Sequence, residues 1–491
     1  MTYSLKDNSK YKEWFEGNDS VSFDNCLLNR GDFGAFLADY LVGEKEGFVL
    51  NIDSPWGSGK TEFLKRMYVE LVNRKHPCVY IDAWESDFSE APLKVVASEL
   101  VYQLELFHTN IGKLEGVNKL KEGFSKFLKA SAILSTGVVS EFLKSSGMSI
   151  DSSMLTEAIM SASGASDSTE LQKLLTDHQE QIQAIKTIRE SLSQLAETLA
   201  NVRGLNVPVV VLIDELDRCR PNYSVELLEV VKHFFATKNL VFVVASDTEQ
   251  LESSIKVLYG ESFDSKKYLK RFFDRVATLP EPNLGDYIKA KDLNSLYEDN
   301  RSVHCYPLIK GFKHNGLTLY ELSFLWCALS YGLDIRDIDQ VIEKVKACIK
   351  VLNARSQGRM VFVNMIVLVS AVCEHHLTLA SYANRLSVRS EGREYVRPTG
   401  ITLVKELDDI YEMSLDMVMK HLKPNYNGAL VEKLVSRLNL YGYREFNEDI
   451  STLTERILSE YEEVIGIPRE NKFFMLWDDY KQLIDLAGYI S

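Results

Sequence analysis

The stretch GFVLNIDSPWGSGKTEFLKRMYVELVNR, residues 47–74, decides how the rest of this 491-residue chain is read. GFVLNID (47–53) is a short apolar run of β-formers and predicts a buried strand. TEFLKRMYVELVNR (61–74) carries apolar residues at helical spacing. Between them SPWGSGKT (54–61) fits the phosphate-loop pattern G-x-x-x-x-G-K-[ST]. Gly59, Lys60 and Thr61 match, and Ser54 stands where the first glycine belongs. The spacing has a physical cause. Successive backbone N–H groups curl around an anion, glycine permits the angles this needs, and Gly57 keeps that freedom inside the loop. The following helix adds positive potential at its N-terminus. Ser54, Pro55, Trp56, Gly57, Ser58, Gly59, Lys60, Thr61 and Glu62 are therefore expected to border nucleotide phosphates. Lys60 would reach the β- and γ-phosphates, and the Thr61 hydroxyl would ligate Mg2+.

Moving outward, FGAFLADYLVG (33–43) reads as a helix, and PCVYIDAW (77–84) as a second strand. PVVVLID (208–214) and NLVFVVASD (239–247) are continuous apolar runs of the kind found in central parallel strands. Strand, loop, helix, strand is the repeating unit of a parallel α/β sheet. VVVLIDELD (209–217) ends an apolar strand in acidic residues. In that position Asp214 would hold Mg2+, Glu215 would act as general base, and Asp217 is a second candidate or a supporting carboxylate. Asp247, with Ser246, ends another strand: it either contacts the γ-phosphate and its water or caps the helix of TEQLESSI. In YLKRFFDRV (268–276), Arg271 and Arg275 are expected on one helix face. Either could serve as an arginine finger, in cis or from a neighbouring subunit, or simply form a basic surface. Arg336 is a sensor candidate, or an i,i+3 partner of Asp339.

Composition removes other classes. Asp+Glu 70 against Lys+Arg 56 gives a net charge of −14, unlike a nucleic-acid-coating protein, although a local basic groove stays open. The seven cysteines form no C-x-x-C pair, which speaks against a zinc ribbon and for reduced thiols in a cytoplasmic setting. No signal-peptide core opens the chain. MVFVNMIVLVSAVC (360–373) is too short to span a bilayer and reads as a buried helix.

Residues 92–205 read as a helical insert. Within it Leu171, Leu175, Ile182, Ile185, Leu192 and Leu199 form a seam that also carries His178 and Arg189. The apolar stretches 127–143 and 152–166 suit a soluble helical insert, or a hairpin touching a membrane or partner. Helical signals dominate after 285. Net charge is +5 over 301–400 (13 basic, 8 acidic) and −7 over 401–491 (10 basic, 17 acidic). The expected organisation is a core at 1–290, a helical lid at 291–380 and a C-terminal helical domain at 381–491. Arg385, Arg389, Arg393 and Arg397 fall at four-residue steps, as a basic stripe or a solvated loop. His375 and His376 lack metal-ligand spacing.

These segments together resemble the KAP family of P-loop NTPases. The resemblance lies in DNCLLNRGDFGAFLADYL, SPWGSGKTEFLKR, VYIDAWESDFSEAPL, VLIDELDRCRP, FVVASDTEQL and YLKRFFDRVATLP, across roughly 23–285. It implies an ASCE-type core that binds ATP with Mg2+ and hydrolyses it, with Asp214 on the metal and Glu215 as the catalytic acid. Asp217 and Arg218 resemble the family's extension beyond the acidic pair, and Asn29 and Arg30 its segment near the nucleotide base. Many members carry transmembrane helices inserted between the two motifs, and no run in 92–205 is long enough for that. The resemblance extends to bacterial, PifA-like members and antiphage-defence ATPases. It implies a homo-oligomer with partner proteins encoded nearby. A nucleic-acid-stimulated remodeller and a non-hydrolysing nucleotide-gated scaffold are the alternative functions.

Overall fold

Apolar runs of five to seven residues, too short for helices, become strands of a parallel sheet. The computed structural model describes residues 9–17, 20–89, 92–107, 118, 168–232, 234, 237–291, 293, 302–309, 312–313, 315–385, 410–411, 414–415, 417–421, 448–468 and 470–489. Contacts divide the chain into two compact units, Met1–Glu281 and Pro282–Ser491.

In the first unit α1 (Gly31–Gly43) precedes β1 (Phe48–Asp53), α2 (Lys60–Asn73), β2 (Cys78–Asp82) and α3 (Pro92–Leu106). After the long helix α4 (Ser168–Arg203) come β3 (Val209–Asp214), a one-turn 3-10 helix (Leu216–Arg218) and α5 (Pro221–Lys232). They are followed by β4 (Leu240–Ser246), α6 (Thr248–Tyr259), α7 (Ser265–Leu269) and β5 (Arg275–Thr278). Among the described residues the sheet has five strands in the order β2-β3-β4-β1-β5. All four pairings are parallel. Both faces are covered, so β3 and β4 are buried along their whole length, as their Val- and Leu-rich runs require.

Register then places chemistry. Asp53 pairs with Ser246, and Asp82 with Asp214, so four polar residues line the carboxyl edge of the sheet. Open α/β sheets bind ligands at that edge. The fold is a P-loop α/β core with a parallel sheet, accompanied by many helices.

Two local readings are corrected in this unit. The segment 268–276 is not one helix: α7 stops at Leu269, and Arg275 opens β5. The Val49 N–H bonds Asp274 Oδ2 at 2.9 Å, and β5 pairs with β1, which outweighs local helical spacing. The seam of α4 holds only in its later part, at Leu192 and Leu199, and fails at Ile182. Ile182 is 55% exposed, whereas Ala184, Ile188, Leu192, Leu195, Ala196 and Leu199 are buried. Side chains of Leu171, Leu175 and His178 lie outside the described residues, as does the hairpin reading at 127–166.

In the second unit β6 (Val303–Tyr306), β7 (Met360–Asn364) and β8 (Lys472–Phe474) form a parallel sheet that the sequence reading did not anticipate. The run 360–373 is therefore strand first and helix second. Asn364 ends β7 and caps α11 (Met365–His376) by accepting the Val367 N–H at 3.2 Å. Helices α8 (Leu284–Ala290), α9 (Leu319–Tyr331), α10 (Ile335–Arg355), α12 (Ala380–Asn384), α13 (Glu448–Gly466) and α14 (Trp477–Ala487) belong to the same unit. Because β8 pairs with β7, segments assigned to a lid and to a C-terminal domain share one sheet. Arg385 is not a surface arginine. It is buried in a bidentate pair with Glu374, at 2.8 and 3.0 Å. Arg389, Arg393 and Arg397 lie outside the described residues.

No helix among the described residues is long and apolar enough to cross a membrane.

Candidate functional site

The loop between β1 and α2 turns on glycine. Gly57 (φ +79°) and Gly59 (φ +85°) occupy left-handed backbone that other residues rarely adopt. A Cβ on Gly59 would also meet Leu28 Cδ1 at 2.9 Å. Ser54 needs no such freedom. Its N–H bonds the Ser246 carbonyl at 3.2 Å, extending the β1–β4 ladder by one step. That explains how serine replaces the first glycine. Among the described residues, no protein acceptor takes the N–H groups of Gly57, Gly59, Lys60 or Thr61. Four free donors around a glycine turn, at the start of a 14-residue helix, suit an anion.

Lys60 is folded into this loop. Only 9% exposed, its Nζ donates to the Ser54 carbonyl at 2.6 Å and the Pro55 carbonyl at 3.3 Å. It also lies 3.6 Å from Asp217 Oδ2. The same oxygen accepts the Trp56 indole N–H at 2.5 Å. The Trp56 backbone N–H bonds Asp247 Oδ2 at 3.2 Å. Asp247 is also the N-cap of α6, through Gln250 N at 3.3 Å. One carboxylate thus ties a helix start to the loop: the capping reading of Asp247 describes what the structure shows.

The acidic strand end faces the start of α2. Asp214 is buried: its Oδ2 accepts the Tyr80 hydroxyl at 2.8 Å, and its Oδ1 accepts the Glu215 N–H at 2.8 Å. Glu215 adopts a left-handed backbone (φ +56°), which aims its side chain back at α2. The Thr61 hydroxyl donates to Glu215 Oε1 at 3.3 Å and lies within bonding reach of Asp214. Arg218 pairs with Glu215 at 3.1 Å and sits over the Trp84 ring. Burial lifts both carboxyls above their ordinary range, and Arg218 opposes the rise at Glu215. Among the described residues no three His, Cys, Asp or Glu side chains could hold a metal by themselves. Thr61 and Asp214 together offer the hard oxygen donors that suit Mg2+ completed by phosphate and water.

Other expected residues are placed differently. Arg30 is buried and engaged: it donates to Ser58 O at 2.8 Å and to Pro280 O at 3.2 and 2.8 Å. Its guanidinium supports the loop from below. Asn29 has φ +51° and turns the chain into α1. Exposed Glu62 pairs with buried Arg66 at 2.6 Å. Arg271 is exposed, and exposed Arg275 donates to the Asp274 carbonyl at 2.8 Å. Arg336 sits exposed in the first turn of α10. The Asp339 pairing considered for it does not form, because Asp339 bonds Lys291 and Tyr287.

Tyr80 was missed. Its signal was available in the alternation of VYID, which puts Tyr80 and Asp82 on one face of β2, beside β3. The Ser246–Asn51–Thr248 hydrogen-bond line was missed as well.

The KAP family P-loop domain matches residues 32–286, just over half of the chain. The chain belongs to the KAP P-loop NTPase family. The matched KAP region spans the loop, both acidic strand ends and β5. No curated protein matches the chain. Among solved structures, "Structure of C. elegans PCH-2" is 13% identical, with 74% of this chain and 72% of that chain covered at a TM-score of 0.31. That likeness is too weak to inform the KAP site.

Proposed function

We propose that this protein is a Mg-dependent ATPase that works as a conformational switch. The observation that carries this reading is one convergence. Four unpaired backbone N–H groups and Lys60 face the same loop, and the Thr61 hydroxyl touches the acidic strand end. The loop N–H groups and Lys60 would bind the β- and γ-phosphates, with charge drawn to the helix N-terminus. Thr61 and Asp214 would hold Mg2+, which neutralises charge on the phosphate oxygens. Tyr80 keeps Asp214 oriented. Glu215 takes a proton from the attacking water, and a carboxyl raised by burial is a better base near neutral pH. Arg271 or Arg275, both exposed, would complete the site in a homo-oligomer as a finger.

The ATP preference, the oligomer, partner proteins and an antiphage role in bacteria rest on the family resemblance, and a cytoplasmic setting on the cysteine pattern. The test is steady-state MgATP hydrolysis by the full chain beside Lys60→Ala, with and without DNA. Turnover in the wild type, lost in Lys60→Ala and indifferent to DNA, is expected. Turnover that rises sharply with DNA would favour a nucleic-acid remodeller. Equal phosphate release by both proteins would overturn the assignment.

A further inference from the structure

The contact between Asp217, Lys60 and Trp56 does more than the proposed reaction requires. Asp217 is 6% exposed, and its two oxygens are unequally served. Oδ2 takes the Trp56 indole N–H and faces the Lys60 ammonium, while Oδ1 is buried with no partner. A buried carboxylate with one bare oxygen depends on whatever charge and donors lie beside it. Here these are the phosphate-binding lysine and a side chain of the phosphate loop itself. Lys60 is therefore already occupied by an anion, and incoming phosphates compete for it.

We propose that Asp217 is a resident counter-charge for Lys60 that sets nucleotide affinity, and that Trp56 is the donor that keeps Asp217 satisfied when Lys60 turns to the phosphates. This rests on the nucleotide-binding reading above and adds an affinity-setting role to it. Asp217 is then a positioning residue and not a base: its side chain points at Lys60 and Trp56, while Thr61 bonds Glu215. Two opposite effects follow. Removing the charge frees Lys60 for phosphate. Removing the indole N–H leaves Asp217 dependent on Lys60 and holds the lysine back.

The test is calorimetric titration of the full chain with MgATP, for wild type, Asp217→Asn, Trp56→Phe and the double variant, with steady-state turnover alongside. Circular dichroism confirms that each variant is folded. Asp217→Asn keeps an oxygen for the indole and is expected to bind about tenfold more tightly, the scale of one partly screened charge. Trp56→Phe is expected to bind about fivefold more weakly, the scale of one hydrogen bond. The double variant should follow Asp217→Asn. A merely structural contact would weaken binding in both single variants, and that result overturns the proposal. Unchanged affinity with reduced kcat in Asp217→Asn would overturn it too, in favour of a base. A wild type that binds no nucleotide overturns the nucleotide-binding reading and this one with it, whereas a binding wild type with same-sign variants overturns only this one.

Discussion

Glu215 combines two costs at one residue: a left-handed backbone and a carboxylate held among Asp214, Asp82 and burial. Left-handed backbone costs a non-glycine residue about 1 kcal/mol or more. Glu215→Gly should therefore raise the unfolding temperature of the nucleotide-free protein while abolishing turnover, as scanning calorimetry and a phosphate-release assay would show. The sign with pH follows from the raised carboxyl. In the folded state Glu215 keeps its proton to higher pH than in the unfolded chain, so its contribution is present below its ordinary value of 4.5 and lost as pH rises through the raised one. Glu215→Gln, which cannot ionise, should gain stability relative to wild type between pH 4.5 and pH 7. A wild-type advantage that grows over that range would contradict the assignment. At this scale much was legible. Lys60, Thr61, Asp214 and Glu215 were named by type and spacing, and they converge. What spacing could not reveal was occupancy: that Arg30 is spent on two carbonyls, or that Trp56 and Lys60 share one carboxylate oxygen.

Among the elements, the continuous apolar runs were read correctly because a strand covered on both faces has no polar residue to confuse it. β5 was misread because its four residues are largely exposed and its reason for being a strand lies in β1, far away in sequence. The same holds for β7, whose apolar run continues without a break into α11; only Asn364, as cap, marks the change. Asn364 also donates to the Tyr461 hydroxyl at 3.0 Å. Asn364→Ala should destabilise the protein by about 1–3 kcal/mol in urea unfolding, combining a lost cap with a lost buried hydrogen bond to Tyr461, whose hydroxyl keeps Ser414 as a partner. Another check lies at the end of α2. Burial depresses His76 below its ordinary 6.5, and its Nδ1 bonds the Pro208 carbonyl at 3.0 Å. The unfolded chain takes up that proton first as pH falls, so stability is present above pH 6.5 and declines below it. His76→Gln should flatten the unfolding temperature between pH 7 and pH 5; an unchanged slope would sink this point.

Across the whole molecule, the charge shift pointed to a boundary near 380–400, whereas the contacts divide the chain at 281/282 and join 360–364 to 472–474. Net charge reports what faces water, and a sheet closed by a distant strand leaves no trace in it. The Arg385–Glu374 pair shows the same limit. A four-residue arginine spacing suggested a surface stripe, yet the described member is buried with both guanidinium nitrogens on one carboxylate. Removing one partner of such a pair strands the other charge, so Arg385→Ala should cost about 3–5 kcal/mol in denaturant unfolding. A loss under 1 kcal/mol would mean that the pair is open to water. The proposed activity of the chain depends, finally, on Glu215. The most direct measurement is MgATP binding and MgATP turnover on the same Glu215→Gln preparation. Affinity within about threefold of wild type, with turnover reduced at least about a hundredfold, is the predicted result. Turnover at the wild-type rate would contradict it.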